Sequence, residues 1–328
     1  MMMRTPLYGF GLLLVVSATA CCRAQPEAAA PPAPAPAPPP PPPPPPAATA
    51  APEAPKEPPG PTPVVRFAEG FATPESVLYD AENDRYLVSN INGKPHDADN
   101  NGYIAELSPE GKVTKDKFIA GGTGTTKLNA PKGLALTGGV LYVADIDTVR
   151  KFDAKTGAPK GDIPIKGTTF LNDIAVAADG KIYVSDSGLD ASFGPNGSEA
   201  IWVIEKDKPK PLAKYKELGC PNGLLAADKS VLAVSFNGTE LYRIDDKGKK
   251  LDTTQLPAGG LDGIVAVGDS LLITSWKSSS IYRGKLGGSF TPVLEKISAP
   301  ADIGFDTKRN RVLVPRFQDN VVEAYELK

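Results

Sequence analysis

The chain has 328 residues, a formal net charge of −2, 35 prolines, three cysteines and one histidine. This balance gives no electrostatic reason to expect nucleic acid, which calls for a basic face. A single imidazole, His96, removes His-rich zinc chemistry, and three cysteines leave little room for a disulfide framework.

Residues 1–20 read as a secretion signal. Arg4 supplies the positive charge, residues 7–16 form an apolar core too short to span a bilayer, and Ala18-Thr19-Ala20 is a small-residue cleavage site. Cys21 follows at once, as in a bacterial lipoprotein signal, where that cysteine is acylated and becomes the new N-terminus; a leucine is more usual where Ala18 stands. Lipidation at Cys21 would anchor the protein to a membrane of the cell envelope, in the periplasm. Ordinary secretion, with Cys21 and Cys22 as thiols or paired, is the main alternative, and an uncleaved anchor the other. Residues 21–63 form a tether. From Pro31 it is almost only proline and alanine, which cannot bury a core, so a disordered, semi-rigid polyproline II spacer is expected. A ligand for a proline-binding groove is the other reading.

From Val64 the composition changes to alternating apolar and polar residues with Gly and Asp turns. One pattern recurs six times: PESVL from Pro74, PKGLAL from Pro131, LNDIAV from Leu171, PNGLL from Pro221, LDGIVAV from Leu261 and PADIGF from Pro300. Each copy is followed by a strongly apolar strand, such as VLYVAD at Val140 or KIYVSD at Lys181, then a third strand and a looser fourth, such as PLAKYKEL at Pro211. A period of about 40 residues with four short strands is the signature of propeller blades. The expected fold is all-β: a six-bladed β-propeller over residues 64–328. The last repeat ends one strand short and a spare strand, residues 64–67, precedes the first. Pairing the two closes the ring and removes a free sheet edge. The two longer repeats carry insertions at residues 90–102 and 189–199.

If each copy opens the innermost strand of a blade, its second residue faces the central channel. Those residues are Glu75, Lys132, Asn172, Asn222, Asp262 and Ala301. Two carboxylates crowded together repel unless a cation lies between them. Carboxylate and amide oxygens without Cys or His favour a hard divalent ion, Ca²⁺ first, with Mg²⁺ or Mn²⁺ next and Zn²⁺ less natural. Lys132 has three readings: its ammonium pairs with Glu75 or Asp262, it contacts an anionic ligand, or it bends to a solvated rim.

Other residues carry less. Asp97, Asp99 and Asn101 match the first half of an EF-hand loop, but Ser108 stands where its glutamate belongs, so an ordinary hairpin loop is expected. Residues 189–199, with Phe193, are expected to be a surface loop, or a lid over the channel. Cys220 is expected to be buried and inert. His96 is expected to be a solvated loop residue, and Trp202 and Trp276 are expected to pack sheets. Asp145, Asp186 and Arg316 end second strands and are expected to bond local backbone. Asp173 would support the ring from behind, and Asp302 is expected to make a turn or an inter-blade contact.

On ESVLYD at Glu75, NDIAVAADGKIYVSD at Asn172, PNGLL at Pro221 and LDGIVAV at Leu261, the sequence resembles the senescence marker protein, gluconolactonase and luciferin-regenerating enzyme family. The resemblance covers about residues 64–328. It implies a six-bladed propeller with a divalent metal in its channel, held by Glu75, Asn222 and Asp262, with Asn172 beside it. Glu75 sits in Pro-Glu-Ser where the family has Gly-Glu-Gly-Pro, and Lys132 enters the ring. The implied activity is hydrolysis of a lactone or related ester, with Asp262 and Asn172 catalytic and Asn172 contacting a small-molecule substrate; Lys132, a departure from the family, is expected from its charge to contact the substrate too. A monomer is expected. A non-enzymatic envelope binding or scaffold propeller, with an ion that only stabilises the ring, is the alternative, because this fold hosts both.

Overall fold

A computed structural model describes residues 60–327. The signal, Cys21 and most of the tether lie outside the described residues. The rest forms six four-stranded antiparallel sheets, which are the six expected blades. Blade one, for example, runs Pro74–Asp80, Arg85–Asn90, Tyr103–Ser108 and Lys112–Ala120. In the sixth blade the fourth strand is Val65–Phe67, paired with Val321–Glu326. The spare strand therefore closes the ring as its position in the sequence requires.

The core consists of the interfaces between blades. Six hydrophobic clusters lie one between each neighbouring pair. Strand alternation explains the near-continuous apolar runs: in blade three Val184 packs toward blade two and Tyr183 toward blade four. A sheet buried on both faces needs apolar residues at every position. Trp202 packs between blades two and three, as a sheet residue should, and Phe67 of the closing strand fills the interface of blades six and one.

Among the described residues the one helical segment is a 3-10 turn, Lys216–Leu218. It corrects the expected strand at Pro211. That strand is Lys208–Lys214, and the chain then turns so that Gly219, in the left-handed region, donates back to Lys216.

Five innermost strands share a break in register. Pairing with the second strand is interrupted between Pro74 and Val77, Pro131 and Leu134, Leu171 and Ile174, Pro221 and Leu224, and Leu261 and Ile264. The two residues inside each break are the ring residue and its successor. A bulge of this kind re-aims side chains and strands a backbone donor. Hydroxyls on the second strand take that donor: Ser89 from Ser76 N, Ser185 from Asp173 N and Thr274 from Gly263 N, at 2.7–2.9 Å. Ser185 and Thr274 then donate to the neighbouring blade, at the carbonyls of Asn222 and Ala301. The bulges are thus tied to one another around the axis.

Candidate functional site

Glu75, Lys132, Asn172, Asn222 and Asp262 line one cavity of about 210 Å³. All five are buried. The structure therefore brings together the ring residues expected from the repeat. The sixth position, Ala301, is buried beside them in the sequence register but offers no polar atom.

Four of these side chains each keep one buried oxygen without a hydrogen-bond partner: Glu75 Oε2, Asn172 Oδ1, Asn222 Oδ1 and Asp262 Oδ1. Their other atoms show why. Ser187 donates its hydroxyl proton to Pro221 O at 2.7 Å, so it can only accept from Asn172 Nδ2 at 3.0 Å. That fixes the Asn172 amide with Oδ1 left over. Trp276 Nε1 donates to Asp262 Oδ2 at 2.7 Å and leaves Oδ1. Unpaired buried oxygens are costly, and several together call for a shared partner. A hard divalent cation fits this donor set, which is all oxygen and carries two carboxylates. Among the described residues no three His, Cys, Asp or Glu side chains form a metal-binding group; half of this ring's donors are amides.

Electrostatics point the same way. Burial, then Asp262 and Asp302, push the Glu75 carboxyl well above its ordinary range, and Lys132 partly opposes them. Burial and Asp302 raise Asp262 as well, against hydrogen bonds from Trp276 and Asn222. Carboxyls that hold protons this firmly are in a site short of positive charge.

Lys132 is almost wholly buried, which corrects the solvated-rim reading. Its Nζ donates to Pro95 O and Ala130 O, each at 3.0 Å, and lies 4.5 Å from the centre of the Phe170 ring. Burial lowers its proton affinity while Glu75 and Asp145 support the charge. One of its three N–H donors remains for a ligand.

The cavity walls are aromatic. Phe236, Trp276 and Phe317 each follow the last residue of a second strand, in blades four, five and six. Trp276 lies 6.0 Å from Phe236 and 5.2 Å from Phe317, centre to centre. Trp276 is thus a wall residue and a support for Asp262, which corrects the expected sheet-packing role. The sequence signal for these walls is the repeat itself, read at the end of the second strand as well as at the start of the first.

Both insertions meet above the ring. Pro95 and Phe193 line the cavity. His96 is packed rather than solvated: it lies 4.7 Å from Phe170 and donates from Nε2 to Leu189 O at 3.0 Å. Residues 189–199 therefore cover part of the mouth, although Phe193 is 45 % exposed. In the first insertion the Asp99 carboxylate is taken by Asn101 N and Nδ2, in keeping with an ordinary loop.

The remaining expectations divide. Asp145 accepts from Asn129 N and Ala130 N, and Asp186 from Phe170 N and Gly188 N, as expected. Arg316 instead pairs with Asp319 and Glu323, because a guanidinium at a strand end meets carboxylates before it meets free carbonyls. Cys220 is buried, and its thiol is pushed up to about 11, so it is inert. Asp302 makes the expected inter-blade contact, accepting from Ser76 Oγ at 2.5 Å. Asp173 reaches across to Leu224 N at 2.6 Å. A larger cavity of about 400 Å³ lies by these two carboxylates, at the carboxyl ends of the innermost strands. Neither carboxylate leaves a buried oxygen unpartnered there, so the ring cavity is the better candidate.

Fold and site together define a six-bladed propeller with an oxygen-rich ring beneath an aromatic cavity. Similar solved structures share the fold and differ in function. A gluconolactonase from Xanthomonas campestris aligns at TM-score 0.60 and 17% identity, covering 80% of this chain and 89% of that one. A streptogramin B lyase aligns at TM-score 0.57 and 13% identity over 80% and 96%. A chain of a nidogen–laminin complex aligns at TM-score 0.53 and 18% identity over 65% and 76%. No family model and no curated protein sequence matches the chain.

Proposed function

We propose that the protein is a divalent-metal-dependent hydrolase of a lactone or related ester. The observation that carries this reading is the set of four unpartnered oxygens, on Glu75, Asn172, Asn222 and Asp262, gathered in one cavity. Glu75, Asn222 and Asp262 would hold the ion, with Ca²⁺ the first choice. When bound, such an ion polarises a carbonyl and lowers the pKa of water. Asp262, oriented by Trp276, accepts the proton that the attacking water loses. Asn172, locked by Ser187, orients that water or the acyl group, and Lys132 offers its remaining N–H to the substrate. Water adds across the acyl C–O bond: hydroxyl goes to the carbonyl carbon, and the proton goes to the released ring oxygen.

Elemental analysis of protein purified without chelator should find one divalent ion, and a lactone panel should show turnover. Asp262→Asn keeps the shape and should weaken metal binding and turnover by about 100-fold or more. No bound metal, and no heat on titration with calcium, magnesium, manganese or zinc, would end the reading.

Lys132 favours a second one. Its buried charge offsets Glu75 without any ion, as suits a non-enzymatic binding propeller. Absence of both bound metal and turnover of any lactone, with small-ligand binding retained, would select it. From the sequence alone we also propose export, acylation of Cys21 and tethering in the cell envelope. Mass spectrometry of the mature N-terminus should show a lipidated Cys21, and an unmodified one refutes the anchor.

A further inference from the structure

We infer that the cavity takes an apolar lactone or ester, carrying one aryl ring or a short alkyl chain, and discriminates against polyhydroxylated sugar lactones. The substrate class rests on the hydrolase reading above, but the wall chemistry that defines it does not.

The walls come from five separate parts of the chain. Phe236, Trp276 and Phe317 form one continuous arc. Phe170 precedes the innermost strand of blade three, and Phe193 comes from the insertion above it, 6.4 Å from Phe170. None of these offers a free hydrogen-bonding group. The one wall donor, Trp276 Nε1, is spent on Asp262. Phe170 is backed by the Lys132 ammonium and by His96, whose Nε2 is itself spent on Leu189 O. Polar side chains are confined to the ring, so a ligand meets polarity at one end only.

A sugar lactone has hydroxyls on every side of its ring. Those facing the aromatic walls would lose water and gain nothing. An apolar pocket rejects one added hydroxyl by about 100-fold. An aryl or alkyl group against the same walls gains burial and ring contacts. Size narrows the choice. A dry cavity of about 150 Å³ accepts a benzene, so a cavity of about 210 Å³ has room for one small bicyclic or a short-chain lactone. Phe193 adds a separate indication. It is one of three large hydrophobic side chains exposed among the described residues, and it stands at this mouth, where an apolar ligand would cover it.

The test uses the full-length, metal-loaded protein with dihydrocoumarin, γ-nonalactone and glucono-δ-lactone. Both kcat/KM and calorimetric binding are measured, so that a catalytically silent protein still reports. At least one apolar lactone should exceed gluconolactone by about 100-fold in either measure. Phe193→Ser, at a partly exposed position, should lower that preference about fivefold through lost burial. Gluconolactone bound or turned over as well as the apolar lactones overturns the inference, as does failure of both apolar lactones to bind. Apolar binding without hydrolysis would sustain it while the hydrolase reading falls. Metal-dependent hydrolysis that prefers gluconolactone does the reverse.

Discussion

Trp276 decides which oxygen of Asp262 is left for a cation, because its Nε1 engages Oδ2 at 2.7 Å. Groups that orient metal ligands are commonly worth 10–100-fold in affinity. Trp276→Phe keeps an aromatic ring beside Phe236 and Phe317 and removes that one bond. Calcium titration should show affinity lower by about tenfold at an almost unchanged melting temperature. Unchanged affinity would mean that Asp262 is held by other contacts. Glu75, Asn172, Asn222 and Asp262 were legible in the sequence because each occupies the second position of a repeated motif, and a repeat converts sequence register into height around an axis. Trp276 was not. A tryptophan at a strand end reads as packing, and nothing in a linear pattern reveals that its N–H reaches back to the start of the preceding strand. Lys132 was half legible: its place in the ring followed from the repeat, but its burial depended on Pro95 in a distant insertion.

The bulged starts of five innermost strands make the ring, and glycine makes the bulge packable in three of them. The residue after the ring position is Gly133, Gly223 or Gly263 in blades two, four and five. A Cβ at Gly223 would stand 2.1 Å from Asp262 O, and one at Gly263 2.4 Å from Ile303 N. Backbone of the next blade cannot yield as a flexible side chain does. Gly223→Ala should therefore destabilise by about 1–3 kcal/mol, the usual penalty of overpacking, and lower the melting temperature by roughly 3–10 °C. Because the displaced atoms belong to Asp262, metal affinity should fall with it. A melting temperature within a degree of wild type would show that the inner strands are looser than their spacing implies. Strand order and closure were readable from turn residues and apolar alternation. The contact between the two insertions was not, since His96 and Leu189 are far apart in sequence and join only because both loops connect second to third strands at the same end of the ring.

Four carboxyls, Glu75, Asp173, Asp262 and Asp302, lie buried around one axis; burial raises all four, and neighbouring carboxylates raise Glu75, Asp173 and Asp262 further. The Ser76–Asp302 bond joins blade one to blade six where the ring closes, so this charge bears on closure itself. A carboxyl held above its unfolded value stabilises the fold fully at pH below that value, about 4. The contribution is lost as pH rises through the folded value, about 7 for Asp302 and about 8 for Asp262. Lys132 titrates in the opposite sense, pushed down to about 8 by burial; its penalty fades only above that pH and cannot mask a loss between 5 and 7. Chelator-treated protein should therefore lose melting temperature from pH 5 to pH 8, by about 5–10 °C. A divalent ion held by the folded ring alone would reverse the sign of the local field and stabilise most where the carboxyls are ionised. Added calcium should raise the melting temperature little at pH 5 and most at pH 8, flattening the profile. Scanning calorimetry across that range, with and without calcium, checks both halves. A metal-free profile that is flat or rises toward pH 8 would mean that the carboxyls are already compensated within the protein, with Lys132 the charge in place to do it.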